Sequence, residues 1–344
     1  MVYGDIFLHR DKNKKLKIFI FGEKAEKSAP SVTLSRLFSK NGFVVECGSL
    51  PDNPVECIDK FKKYDFAFVV IYSEPSDWFV RQVALAGLVN TPVFRYWVGS
   101  DVFFANQANQ ETLTKIKELD KLITKNIVVA GHLADELLVV GIKSIYVPIV
   151  PCELPSFSEK WSAEIANTVL VYLPINREEF YGADILEKII TNNKDINFII
   201  VANGGERFKK YKNVKNYGWI EDMEDIYNSV GIILRYTKHD GLPRMVIEAL
   251  SRGKYIIYSW PLSGCFWGGN LDSINYHLKN CTSMSAPNYS GARLVRSVYS
   301  SDVFISGMVE SVLIKKKSFN MKIFIYSFVY ISSFFSKKLI KNFF

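Results

Sequence analysis

HDGLPRMVIEALSRG, His239 to Gly253, is the stretch that decides the fold. Asp240-Gly241 is turn chemistry, because Gly accepts positive φ and Asp bonds its own backbone. Pro243 sits where a first helical residue belongs, since its missing N–H has no intrahelical partner there in any case. The helix then runs to about Arg252 and stops at Gly253, a residue suited to a left-handed cap. Apolar runs flank it, Val230 to Tyr236 before and Lys254 to Ser259 after. The unit is strand, turn, helix, strand, with the helix opening at the carboxyl end of a strand. Parallel sheets bind ligands at that edge, and free N–H groups with the positive dipole end suit a phosphate.

The charges sharpen the reading. Arg244 lies four residues before Glu248, so the two share a helix face. Asp240 at the mouth and Glu248 inside can hold hydroxyl groups. Arg244 and the amides of Gly241 and Leu242 can hold a diphosphate, with Lys238 close by. An ordinary surface helix carrying an Arg–Glu pair fits the same spacing.

DGLPRMVIEALSRGKYII resembles the E-x7-E segment of the retaining glycosyltransferases of family 4, whose fold is termed GT-B. Asp240 stands in the first acidic place and Glu248 in the second. The resemblance implies that the first carboxylate, catalytic Asp240, holds donor-sugar hydroxyls. It implies that Glu248 holds the nucleotide ribose. Here the first acid is Asp rather than Glu, one methylene shorter.

Composition agrees with a two-domain globular protein. The chain has 344 residues, 48% hydrophobic and 23% charged, which is long enough for two large cores and argues against disorder. Five cysteines, Cys47, Cys57, Cys152, Cys265 and Cys281, are scattered and lack metal-ligand spacing, so reduced thiols and no metal site are expected. LKIFIFG near the N-terminus reads as a short strand, not as the apolar region of a signal peptide. The net charge of +8 is concentrated at the end: seven lysines and no acid follow residue 314, leaving +1 for everything before. A near-neutral body excludes an extended nucleic-acid groove.

Apolar runs alternate with helical patterns from residue 16 onward, which predicts parallel α/β sheets covered on both faces. The loop after the first strand, GEKAEKSAPS, carries no G-x-G-x-x-G fingerprint and lacks the paired glycines of the family. Gly99-Ser100-Asp101 ends a strand at the site-bearing edge and resembles a cleft segment of related transferases. Asp101 could orient an acceptor hydroxyl or serve the start of the next helix. Residues 125–151 resemble the end of the family's N-terminal domain, with His132 at a helix start, as a base or as a structural residue. Pro148, Pro151 and Pro155 mark a linker.

After it, NTVLVYLPINREEFYG matches the family order of strand and phosphate loop. Arg177 is its available cation and Tyr181 stands near the expected Lys, just before Gly182. Arg235, Lys238 and Arg244 are substitutes; Arg177 also fits a solvated loop. Trp219-Ile220 reads either as the wall of a base pocket or as core packing. Residues 315–344 hold seven lysines and nine aromatics, with fourteen uncharged residues between Lys322 and Lys337. A helix there reaches about 21 Å, short of a roughly 30 Å hydrocarbon core. An interfacial anchor at the cytoplasmic membrane face fits, as does a helix packed back on the first domain.

The expected architecture is therefore α/β: two Rossmann-like domains facing each other across a cleft, residues 1–150 on the acceptor side and 151–314 on the donor side, then a basic-aromatic helix at 315–344. The resemblance implies sugar transfer from a nucleotide-sugar, a substrate rather than a cofactor, to a glycan or lipid-linked acceptor, with closure of the domains excluding water. Cell-surface polysaccharide synthesis is the expected setting. A non-catalytic relative that binds a nucleotide-sugar or glycan at the membrane is the alternative, and a sugar-nucleotide epimerase a third.

Overall fold

The computed structural model describes residues 15–22, 29–70, 75–151, 153–310 and 331. The chain divides into two compact units, Met1–Cys152 with Phe304–Phe344, and Glu153–Val303.

In the first unit the strands are β1 (Lys17–Phe21), β2 (Val44–Gly48), β3 (Phe66–Val70), β4 (Val93–Trp97), β5 (Lys125–Val128) and β6 (Ser144–Tyr146). Between them run α1 (Ala29–Lys40), α2 (Pro54–Lys62), α3 (Asp77–Leu88), α4 (Ser100–Gln107), α5 (Gln110–Asp120) and α6 (Gly131–Val139). The sheet order is β2-β1-β3-β4-β5-β6, and every pair is parallel. Every residue of β3 and β4 is buried, as strands covered by helices on both faces require. Phe19 and Phe21 face Phe61 and Phe79 on one side. Phe38 of α1 packs on Phe68 on the other.

The second unit carries β7 (Thr168–Tyr172), β8 (Asn197–Val201), β9 (Val214–Gly218), β10 (Ile232–Arg235), β11 (Tyr255–Tyr258) and β12 (Phe266–Trp267). Its helices are α7 (Ala163–Ala166), α8 (Ala183–Asn192), α9 (Glu224–Ser229), α10 (Arg244–Ser251), α11 (Leu271–Thr282) and α12 (Tyr289–Val298). The order is β12-β11-β10-β7-β8-β9, again all parallel. Counting from β7 as the first strand, this is the 3-2-1-4-5-6 order of a dinucleotide fold. Its strand order reverses between β7 and β10, where such sheets bind ligands beyond the carboxyl ends. The α/β class and the two Rossmann-like sheets are as expected from the sequence.

One boundary falls elsewhere than at residue 314. From Phe304 the chain belongs to the first unit, so residues 304–314 do not sit with the second domain. The cause is α13 (Ser301–Met308), whose Phe304 ring packs edge-on against Phe38 at 5.5 Å. Residues 315–344, where a membrane-surface helix was expected, lie outside the described residues except for Ile331. Ile331 is helical, half-buried, and packed against the core cluster that includes Phe19 and Phe21. Among the described residues no helix is long and apolar enough to cross a membrane.

Candidate functional site

The β10–α10 turn lies at the reversal point of the second sheet. Arg235 is the last residue of β10, and its ladder neighbours are Tyr258 on β11 and, one step earlier, the β7 run that ends in Tyr172. The turn after it is held firmly. Thr237 donates its N–H to Ser259 Oγ at 3.0 Å and accepts from the Trp260 indole at 3.2 Å. Its hydroxyl donates to the His239 carbonyl at 2.9 Å. Lys238 N–H donates to the Phe180 carbonyl at 2.9 Å, which ties this turn to the loop following β7.

Asp240 does bond its own backbone: Oδ1 accepts from the Gly241 N–H at 3.0 Å. Its Oδ2 accepts from Arg235 Nε at 2.9 Å and forms an ion pair with Nη2 at 2.8 Å. The Arg235 side chain is 10% exposed and that of Asp240 16%. Burial, the largest influence, works against the guanidinium charge, but the Asp240 carboxylate together with Tyr181 and Tyr258 outweighs it, so the arginine holds its proton more tightly than usual. The rings of Tyr172 and Tyr181 lie 5.4 and 5.1 Å from the guanidinium carbon. They meet each other edge-on at 5.6 Å.

Helix α10 begins at Arg244, and Pro243 is its cap at φ −72°, one residue earlier than expected. The proline ring still fits, because the cap carbonyl accepts from Val246 and the missing N–H costs nothing there. The helix ends as expected: Gly253 takes φ +80°, where a Cβ would also lie 2.5 Å from the Phe157 ring. Glu248 accepts from Arg244 Nε at 2.5 Å and from the Tyr227 hydroxyl at 3.4 Å. Arg244 stays exposed while the Glu248 side chain is 18% exposed. The surface-pair and binding readings therefore share one geometry. Arg252 stacks on Tyr227 at 4.4 Å and pairs with Glu224 at 2.6 Å, which fixes the far end of the same helix.

The loop 174–182 brings the remaining candidates. Arg177 is exposed, with its guanidinium carbon 4.8 Å from the Phe180 ring and 5.5 Å from that of Tyr181. Arg177 and Arg235 thus both lie against Tyr181. Arg207 anchors the loop from outside, at 2.9 Å from Glu179 and 2.8 Å from Asp184. Gly182 adopts φ +74°, and a Cβ there would come within 2.2 Å of Tyr236. Only glycine allows these two loops to approach so closely.

Trp219 is 68% exposed, so it does not pack in the core. It follows β9, whose Gly218 carbonyl accepts from Ala202, whose own carbonyl accepts from Ile175. Those bonds set the loops after β7, β8 and β9 side by side at one sheet edge. Asp101 behaves differently from the second-unit acids. It is 1% exposed, and Oδ1 accepts from the N–H groups of Val98, Gly99 and Val102, each at 3.0 Å. That is the geometry of an acid serving its own helix start. His132 is half-buried in the first turn of α6. Among the described residues no group of three or more His, Cys, Asp or Glu could hold a metal ion.

Sequence reasoning named Asp240, Glu248, Arg235, Lys238, Arg244 and Arg177 but missed the Arg235–Asp240 pair, its aromatic surround, and the Arg252–Glu224 and Arg207 anchors. The available signal was a lone arginine ending an otherwise apolar strand.

No family model and no curated protein matches this chain. Solved structures do. HepE of Anabaena is similar over 86% of this chain and 99% of its own, with a TM-score of 0.62 at 10% identity. A glycosyltransferase of Rickettsia africae is similar over 88% and 100%, at 0.61 and 12%. Sucrose-phosphate synthase of Thermosynechococcus elongatus is similar over 86% and 98%, at 0.60 and 11%. These are GT-B glycosyltransferases, and at such identities the likeness establishes the fold.

Proposed function

We propose that the chain is a retaining glycosyltransferase that moves a sugar from a nucleotide-sugar to a glycan or lipid-linked acceptor. The observation that carries this reading is the β10–α10 junction. A helix opens at the reversal point of a dinucleotide-type sheet, with one carboxylate in the turn, another 18% exposed on the helix, and cations around both. The neighbours support it: HepE was crystallised with UDP and glucose, and a pneumococcal O-GlcNAc transferase similar over 76% of this chain, at a TM-score of 0.52, with UDP and GlcNAc.

In the proposed reaction the bond from the anomeric carbon to the diphosphate oxygen breaks. The acceptor oxygen bonds to the same face, and its proton passes to the departing phosphate. Negative charge grows on the diphosphate as it leaves, so fixed positive charge near it lowers the barrier. Arg235, Arg244, Lys238 and Arg177 are the cations at hand, with the amides of Gly241 and Leu242 ahead of the helix. In this reading Glu248 accepts from ribose hydroxyls and exposed Trp219 meets the base. No step requires a metal or a further cofactor. Work on cell-surface polysaccharide at the inner face of the membrane is part of the proposal, with residues 315–344 as the contact. Packing of Ile331 on the first unit favours a tail folded back instead. Flotation with anionic vesicles, full-length against a chain ending at Ser318, separates the two.

A second reading, a non-catalytic binding relative, is favoured by Tyr181 in the place of a loop cation. Incubation with UDP-, GDP- and ADP-sugars decides. Turnover that falls in Glu248→Ala supports the transferase; nucleotide binding without turnover leaves the binding protein.

A further inference from the structure

We infer that Asp240 is a positioning residue for Arg235 rather than a ligand of the sugar, and that Arg235 and Tyr258 together receive the donor diphosphate. This rests on the nucleotide-sugar reading above and assigns the roles within it.

The first observation concerns hydrogen-bond capacity. Asp240 Oδ2 already accepts from Arg235 Nε and forms an ion pair with Nη2, and Oδ1 takes the Gly241 N–H. A charge-assisted bond is roughly twice as strong as a neutral one. A sugar hydroxyl, which is neutral, is a poor replacement for the arginine, so the carboxylate keeps its present partner. The donors around it stand differently. Nη1 of Arg235 gives no hydrogen bond to any described residue, although Nε and Nη2 are both engaged. Tyr258 is 1% exposed, and its hydroxyl lies beside the Asp240 carboxylate without meeting any acceptor in hydrogen-bond geometry. Burial first, then the Asp240 charge, push the phenol far up, so it remains an O–H donor at any working pH.

The cluster thus holds two unused donors, one of them on a fixed cation. Their ideal ligand accepts at several oxygens and carries negative charge, as a phosphate does. The frame around them is stiff. Tyr172 and Tyr181 flank the guanidinium, Arg235 and Tyr258 are paired in the ladder, and Asp240 clamps two of the three guanidinium nitrogens. Such a clamp aims the third nitrogen and removes the freedom that a lone arginine loses on binding.

Calorimetry on the full chain tests this with UDP, GDP and ADP and with the corresponding monophosphates. The wild type is expected to bind one diphosphate at least about tenfold more tightly than its monophosphate. Arg235→Met removes that preference and leaves monophosphate affinity in place. Asp240→Asn reduces it by about tenfold, and the double variant is no weaker than Arg235→Met, as one unit acting together requires. Tyr258→Phe, which keeps the ring, loses a few fold on the diphosphate only. The ratio of nucleotide-sugar to diphosphate affinity is unchanged by Asp240→Asn. If instead Asp240→Asn weakens the nucleotide-sugar and spares the diphosphate, Asp240 grips the sugar and the inference is wrong. If the wild type binds none of the three diphosphates, the nucleotide-sugar reading itself fails.

Discussion

Each unit carries an arginine in a central strand and an aspartate a few residues further on, and the two use them in opposite ways. In the first, Arg95 on β4 and Asp101 in α4 are both 1% exposed. The guanidinium of Arg95 lies 3.5 Å over the Trp97 ring, and Asp101 binds three N–H groups of its own turn. Burial pulls Arg95 down to about 10, and burial pushes Asp101 up against the pull of Arg95 and the amides. In the second, Arg235 and Asp240 bond each other directly and keep a fraction of their surface open. The lesson concerns where the carboxylate finds its donors. Taken up by backbone, it shapes a turn; taken up by a side chain, it aims a cation.

The largest expected effect breaks the first pair. Asp101→Ala removes the acceptor for three N–H groups and takes away one of the two carboxylates, with Asp120, whose charge acts on buried Arg95. Loss of one partner in such a buried arrangement costs about 3–5 kcal/mol, so urea unfolding should show the first unit melting early. Asp240→Ala, by contrast, leaves Gly241 N–H and Arg235 near the surface, where water can replace the carboxylate. Its unfolding midpoint should stay close to wild type. If the two variants destabilise equally, the contrast between turn-shaping and cation-aiming acids is void.

Next in size comes activity. Arg235→Met should lower sugar transfer by about 10²-fold, the usual result of deleting one charge-stabilising donor, with a smaller loss of stability than Asp101→Ala. Loss of folding together with activity would make Arg235 another Arg95. Glu248→Ala should raise KM for the donor more than it lowers kcat, because a ribose contact is the same in ground and transition states.

How much of this was legible beforehand follows the same division. His239 to Gly253 could be read almost to the residue, since Asp-Gly turns, proline at helix starts and left-handed glycine caps are local chemistry. Pro243 was misplaced by one position because cap and first turn differ only in ψ, which neighbours set. The Arg235–Asp240 pair was illegible: five residues separate a strand end from a turn, and nothing local says that the two side chains converge. Trp219 was ambiguous because burial at a sheet edge depends on which loops flank it. The return of the chain to the first unit at Phe304 depends on a ring finding Phe38 more than two hundred residues away, which no periodicity encodes.

A third test asks whether burial of a charge alone marks a site. Lys254 is 1% exposed at the start of β11, the sheet edge opposite the turn. Burial, then Arg252, pull its ammonium from an ordinary 10.5 down to about 8. A base whose pKa falls on folding opposes folding most fully below pH 8, where both states are protonated. Between pH 8 and 10.5 the unfolded chain binds more protons, so stability rises with pH. Lys254→Met should therefore stabilise the protein by on the order of 2 kcal/mol at pH 7, with the advantage shrinking by pH 9.5 and transfer activity unaltered. An advantage that stays constant with pH would mean the gain is packing, not charge.

The smallest effect is the most local. Gly182→Ala puts a Cβ at φ +74° and within 2.2 Å of Tyr236, while the Gly182 carbonyl already starts α8 by accepting from Leu186. The left-handed penalty alone is about 1–2 kcal/mol. The clash must then push Tyr236 or the 174–182 loop aside, and that loop carries Tyr181, one wall of the arginine's surround. The expected signature is a modest drop in unfolding midpoint with a several-fold loss of diphosphate preference, while monophosphate affinity holds. In the first unit Gly99, ahead of α4, lies beside Asp101, whose Oδ1 is taken up by backbone N–H groups. Substituting it should cost stability without touching nucleotide binding. If both glycines change stability and neither changes nucleotide preference, the loop packing around Arg235 is scaffolding, and the difference between the two turns narrows to their exposure.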